Sequence, residues 1–473
     1  MTGPSQPGTA TPASVPRLLS QSRRLMASGL LFSVLGGSVG QGVIPGAIAA
    51  GALAVVWVAV ISTVETVEDL GSVIVGRLLE RRDPGWVLVS AEAFSLACAL
   101  IALAVVLVGG PALGVFLAFV LVTSVVPLVL DVADELYAGQ IVRHDPAGAL
   151  RFNIALYSVV GLTGSLLARP LGSALATAGV VIVLSISAVA SAVAVSLRVA
   201  AVRRLRAAER TLTLDVETGS ARPGSAGGQA RSGPSAPVPA GAPPTASDGD
   251  GDPGAGRRVQ AADADRRIGW RQVLRLRSPG SPLISTLGNL SSAILSTYVS
   301  LWAVTGLDEP NRWLAVLFFA VGLGATLGPY VARGMQQRSA VSYLRRLLGA
   351  RIGILAGIVA TAVAGPPKIS RLLIIAAAMF LLSGATVATA VVQATSRQIE
   401  YHGPALAQVV GWSHSGAAAG TLLGTWLGIL TGVATSPILG TAIATVVAAV
   451  ALAGVQSPKT VDPGDSIGAV RAS

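Results

Sequence analysis

The sequence predicts an all-α polytopic membrane protein, with twelve transmembrane helices arranged as two six-helix bundles. Three observations carry that prediction: scarce charge, twelve apolar stretches of spanning length, and a repeat between the two halves of the chain. Of 473 residues, 52% are hydrophobic and only 12% are charged, and the mean hydropathy is +0.68. Soluble domains carry roughly a quarter charged residues, so half that density cannot cover a globule of this size. Lipid must be part of the solvent. A soluble enzyme, a disordered chain and a disulfide scaffold are excluded. A transmembrane barrel is excluded too, because its alternating strands do not give long apolar runs.

Residues 1–22 are rich in Pro, Ser and Thr and read as a disordered cytoplasmic tail. Ser22-Arg23-Arg24-Leu25-Met26 has the look of a twin-arginine export signal, but eleven further apolar stretches favour arginines that cap a first membrane helix. Stretches of about 20 residues or more, enough to span at 1.5 Å rise per residue, fall near 25–50, 53–79, 86–109, 111–136, 150–177 and 178–200. They resume near 281–305, 311–333, 345–364, 369–394, 405–433 and 435–455. Gly109-Gly110-Pro111 and Gly365-Pro366-Pro367 mark tight turns between spans. The bundles are therefore residues 23–200 and 281–456. Residues 201–280 form a cytoplasmic linker, dominated by Gly, Pro, Ala and Ser over 219–256. Its segment near 266–277 reads as a basic amphipathic helix anchored on the inner leaflet by Trp270. Residues 457–473 form a cytoplasmic tail.

Orientation follows from the arginines. Arg23, Arg24, Arg77, Arg81, Arg82, Arg143, Arg151, Arg203, Arg204, Arg206, Arg333, Arg338, Arg345, Arg346 and Arg397 fall at one side of a twelve-span chain, whereas Arg312, Lys368 and Arg371 fall at the other. The positive-inside rule puts both termini in the cytoplasm of a bacterial inner membrane. The net charge of +11 then needs no nucleic acid. One cysteine, Cys98, and three histidines without ligand spacing give no disulfide framework and no metal site. No cofactor is expected. The chain has no GxxxxGK[ST], HExxH or GxSxG motif, so it reads as a non-enzyme driven by a gradient.

The halves repeat. Gly164-Ser165-Leu166-Leu167-Ala168-Arg169-Pro170-Leu171-Gly172 matches Gly420-Thr421-Leu422-Leu423-Gly424-Thr425-Trp426-Leu427-Gly428 at five of nine positions. His144-Asp145-Pro146-Ala147 matches His402-Gly403-Pro404-Ala405, and Gly76 with Arg81 matches Gly328 with Arg333. The offsets are 256, 258 and 252 residues. Three matches in order at one spacing indicate two related bundles in parallel orientation.

On these residues the chain resembles the major facilitator superfamily of transporters, and its efflux members in particular. The loop Gly76-Arg77-Leu78-Leu79-Glu80-Arg81-Arg82-Asp83-Pro84-Gly85 is similar to the family's gating loop of glycine, three residues, an acid and then basic residues. Gly328 to Arg333 looks like its second copy, with Ala332 where the acid would stand. The motifs are degenerate elsewhere: no Arg lies between Pro111 and Leu136, and Arg169-Pro170 replaces glycine-proline in the fifth span. The resemblance implies alternating access to a central cavity by a monomer. It also implies a latch at Glu80 and Arg81 that breaks and reforms.

Intramembrane polar groups are the candidates for chemistry. Glu65, Glu68 and Asp69 lie on one stripe of the second span. They read either as proton carriers, with Glu65 the deepest, or as the wall of a wet vestibule. His414 in the eleventh span is a candidate to pass protons with Glu68 or Asp69, or a structural histidine bonded to a carbonyl. Asn289, Tyr298, Gln393 and Trp412 are candidates to contact substrate, or packing residues. Asp131, Asp134 and Glu135, near the end of the fourth span, are expected to pair with loop arginines such as Arg81 and Arg82. The expected function is transport of a small molecule, with protons as the coupling partner and export as the direction. An importer or facilitator, or a non-transporting receptor or assembly protein on the same fold, is the alternative.

Overall fold

In the computed structural model the described residues are 14–49, 63–64, 66–168, 171–172, 175, 179–220, 278–306, 310–337, 339–434 and 437–455. Their principal helices, in chain order, are α1 (Ser14–Ala49), α2 (Ser72–Leu79), α3 (Pro84–Leu107), α4 (Ala112–His144), α5 (Ala149–Ala168) and α6 (Val180–Ser220). The second set is α7 (Pro282–Gly306), α8 (Pro310–Val331), α9 (Ala340–Ala364), α10 (Lys368–Glu400), α11 (Gly403–Ala434) and α12 (Pro437–Gly454). No strand occurs among the described residues, and seven stretches among them are long and apolar enough to cross a bilayer. The linker over 221–277, with its amphipathic segment, and the tail over 457–473 lie outside the described residues.

Boundaries differ from the sequence expectation at both ends of the first bundle. Residues 14–22, expected in the disordered tail, are the first turns of α1, and Val15, Leu19 and Ser22 are buried there. Helix α6 runs twenty residues past the expected end of its span, because Ala201, Val202, Leu205 and Ala208 continue its apolar face into the first bundle's core. The α3 end is fixed beside it. Asp83 caps α3 by accepting from the Gly85 N–H at 2.8 Å, ahead of Pro84 at the first helical position. Arg206 of α6 pairs with Asp83 and stacks over Trp86 at 5.4 Å.

The repeat has a packing basis. In the first bundle Gly172, just past α5, sits against the Val39 carbonyl of α1. In the second, its counterpart Gly428 of α11 sits against α7, where an added Cβ would stand 2.8 Å from the Thr297 side chain and 3.0 Å from the Ile294 carbonyl. Matching glycine segments thus permit matching close crossings, α5 on α1 and α11 on α7. The other repeated glycine does not behave so. Gly76 of α2 lies against α11, where a Cβ would be 2.6 Å from the Ala407 carbonyl, whereas Gly328 of α8 packs on Gly384 of α10 within its own bundle.

The two ends of the molecule differ. At the arginine-rich end, Leu406, Ala407 and Val410 of α11 join the core built by α1, α3, α4 and α6. Leu150 and Ile154 of α5 join the core of α9 and α10. At the opposite end each core stays within one bundle, around Phe116 and Leu184 in the first and around Leu295 and Leu355 in the second. The described cores therefore seal the bundles together at the arginine-rich end.

Candidate functional site

Helix α2 is interrupted just where it meets α11. The backbone turns at Leu70 and Gly71, the Gly71 N–H donating to the Glu68 carbonyl at 2.7 Å. Ser415 of α11 takes up the freed groups: its hydroxyl donates to the Leu70 carbonyl at 2.7 Å and accepts from the Val73 N–H at 3.0 Å. Broken helices are tolerated at membrane depth only where protein or a cavity satisfies the backbone. Helix α4 is interrupted at Ser124, ahead of Pro127, whose ring removes one helical N–H. The two breaks meet, since the Ser124 hydroxyl donates to Glu68 Oε1 at 2.7 Å.

Below these breaks lies a polar cavity of about 170 Å³ between the bundles. Its wall includes Asp69 of the second span, Asp131 of α4, Asn289 of α7 and His414 of α11. Asp69 and Asp131 are exposed residues, and their free surface opens onto this cavity. One turn further along α4, Glu135 is buried and joins the bundles. Its Oε1 accepts from Arg397 Nε at 2.7 Å, and its Oε2 from Arg397 Nη2 at 3.1 Å. His414 Nε2 stands 3.3 Å from the same Oε2. Gln398 donates to the Glu135 carbonyl at 3.3 Å, and the Asn153 amide of α5 donates to Thr395 and to Gln398 at 2.9 and 2.8 Å. Arg397 and His414 of the second bundle thus close on one carboxylate of the first, Arg397 in the bidentate geometry that Arg makes best.

The expected site residues are dispersed around this centre. Asp69, Asn289 and His414 share the cavity. His414 takes Glu135 as its carboxylate neighbour, not Glu68, which is engaged with Ser124. Asp134 and Glu135 pair with Arg198 and Arg397 rather than with Arg81 or Arg82, because α4 continues to His144 and so holds them well inside the bundle. Gln393 is buried and accepts from Ser285 at 3.1 Å, and Trp412 is half-buried; neither is on the cavity wall. Glu65 and the side chain of Tyr298 lie outside the described residues. In the gating loop, Glu80 Oε1 accepts from Gln408 of α11 at 2.8 Å, so its contact crosses to the other bundle, while Arg81 is exposed. Arg333 stacks over Tyr330 at 4.8 Å. The sequence reading missed Glu92, Arg198 and Arg351, three buried charges inside apolar spans. A charge within a span is itself the signal that finds them. Among the described residues no group of three His, Cys, Asp or Glu is placed to hold a metal ion.

No family model matches the sequence, and no curated protein matches it. Solved structures do. A bacterial homologue of the iron transporter ferroportin, in an outward-facing state, is 14% identical with a TM-score of 0.59, over 92% of this chain and 98% of that one. FucP, a Major Facilitator Superfamily transporter in an outward conformation, is 9% identical with a TM-score of 0.56, over 92% and 99%. The human organic anion transporter MFSD10 is 14% identical with a TM-score of 0.56, over 93% and 99%. The chain has the major facilitator fold. Likeness at this identity concerns the fold, and the expected two-bundle architecture is met over nearly the whole length. Within the major facilitator fold, α2 and α4 of one bundle and α7 and α11 of the other bring the cavity residues together.

Proposed function

We propose that this protein is a secondary transporter that moves a small molecule across the plasma membrane of a bacterium by alternating access, exchanging it for protons. The observation that carries this reading is the polar cavity between the bundles, walled in part by Asp69, Asp131 and His414, with His414 reaching the Glu135–Arg397 pair at an end that apolar cores seal. A cavity of about 170 Å³ is small beside the roughly 300–1,000 Å³ of sites for drug-sized ligands. With Asp69 and Asp131 on its wall, it suits a small cationic or amphiphilic molecule.

Charge balance supplies the coupling. A protonated His414 adds a second positive charge beside Arg397, facing Glu135 and the cavity carboxylates Asp69 and Asp131. Loss of that proton leaves the three carboxylates less compensated. The proton thus strengthens the Glu135–His414 attraction that holds the arginine-rich end closed, and its departure loosens it. The positive-inside rule supports a cytoplasmic location for that end and for both termini. The likeness to transporters caught outward-facing supports the same state here. A monomer is sufficient, since both bundles belong to one chain.

Proteoliposomes with an internal pH-sensitive dye, challenged with a panel of small cations and amphiphiles, test the reading. Ligand-driven proton movement opposite in direction to the ligand is expected, and Asp131→Asn and His414→Gln should abolish it. Movement in the same direction would establish symport, the second reading, which the likeness to FucP, a fucose:proton symporter, supports. Absence of any ligand-driven proton movement would overturn proton coupling.

A further inference from the structure

We propose that Glu92 is a proton-binding site inside the first bundle, apart from the cavity between the bundles. Glu92 of α3 and Arg198 of α6 are 2% and 0% exposed. Arg198 makes a bidentate contact with Asp134 of α4, Nη1 to Oδ1 at 2.9 Å and Nη2 to Oδ2 at 3.3 Å. Its remaining Nε lies 3.3 Å from Glu92 Oε1 but out of line, and neither atom has a hydrogen-bond partner. The cluster therefore holds two carboxyl groups and one guanidinium, at membrane depth.

An arginine does not give up its proton in a protein. If both carboxyls were ionised, one negative charge would stand uncompensated beside a single guanidinium at membrane depth. One added proton makes the cluster neutral. Asp134 has the aligned bidentate contact and keeps its charge, so the proton belongs to Glu92. The surroundings suit it. Glu92 borders a cavity of about 90 Å³ whose wall carries the hydroxyls of Ser33, Ser95, Thr123, Ser124 and Ser191, a polar space with room for water. The charged groups facing the site are Arg198 from α6 and Asp134 from α4. Glu68 of the second span stands behind Ser124, to which it is bonded. No covalent partner is needed: water in the pocket delivers the proton to the carboxylate, and the carboxyl returns it.

Infrared spectroscopy of the purified full-length protein tests the proposal without substrate or flux, so a failed transport assay does not bear on it. At neutral pH the wild type should show the C=O stretch of a protonated carboxyl, and Glu92→Gln should remove one component of it. Asp134→Asn leaves Glu92 as the sole anion for Arg198, so Glu92 should ionise and the same component should vanish. The melting temperature of Glu92→Gln should equal that of the wild type at neutral pH, because the amide mimics a neutral carboxyl. An unchanged band in Glu92→Gln, or its survival in Asp134→Asn, would overturn the proposal. So would a Glu92→Gln protein that melts far below the wild type.

Discussion

Glu135 is a residue on which the two bundles meet, and its value lies in being buried between Arg397 and His414. Removing one partner of such a contact leaves the others unpaired, at a cost of about 3–5 kcal/mol. Glu135→Gln should therefore lower the melting temperature in detergent and raise labelling of a cysteine introduced at the arginine-rich end. Unchanged labelling would show that the contact does not hold that end shut. A second carboxylate, Asp145, lies in the loop after α4. The Arg23 guanidinium, hydrogen-bonded at 2.6 Å, holds its carboxyl below the ordinary range against some desolvation, with help from the Gly148 N–H. A depressed carboxyl stabilises the folded state above its unfolded pKa of about 3.9 and loses that contribution as the pH falls through the folded value. The stability difference between wild type and Asp145→Asn should be full at neutral pH and vanish in strong acid, as thermal unfolding against pH would register. At this scale the sequence was only partly readable. His414 stood out as a lone histidine in an apolar span. Its partner Glu135 was assigned to loop arginines instead, because apolar character fades near residue 136 while the helix runs on to His144. Pairing across 279 residues of chain leaves no local trace.

At the scale of elements, the crossing of α2 and α11 does two things at once. Gly76 and Gly411 let the backbones approach, an added Cβ at Gly411 falling 2.7 Å from the Ser72 carbonyl. Ser415 then satisfies the break in α2. Ser415→Ala should cost about 1–3 kcal/mol, the price of leaving buried polar groups unmade, whereas Ser415→Thr, which keeps the hydroxyl, should cost less. Thermal unfolding of the two variants decides the matter. Gly76→Leu should wedge the crossing apart and shift the protein away from the state with a sealed arginine-rich end. Distances between spin labels across that end would report the shift, and an unaltered distribution would remove Gly76 from the gate. The spans were legible because they are long apolar runs, several of them bounded by arginines or by Gly-Pro turns, whereas little polar sequence marks the boundary between the first and second or between the fifth and sixth. The interruptions at Gly71 and Ser124 were not, since a break supported from another helix looks, in its own sequence, like any serine or glycine in a span.

For the whole molecule, the repeat visible in the sequence is a repeat of close crossings, α5 on α1 and α11 on α7, and it places the two bundles in parallel orientation. What the repeat does not carry is the asymmetry between the ends. With that asymmetry go local differences between the matched positions, such as Ala332 where Glu80 stands in the first copy, and with it the Glu80 contact to Gln408. The shared apolar cores at the arginine-rich end have a thermal consequence. When that end opens, Leu406, Ala407 and Val410 leave a packed interior for water. Exposing apolar surface raises heat capacity. The opening step should thus have an enthalpy that grows with temperature, and an Arrhenius plot of flux limited by that step should curve rather than run straight. Replacing Leu406 by Ala should flatten the curve, because the smaller side chain brings less apolar surface into contact with water each time the gate swings.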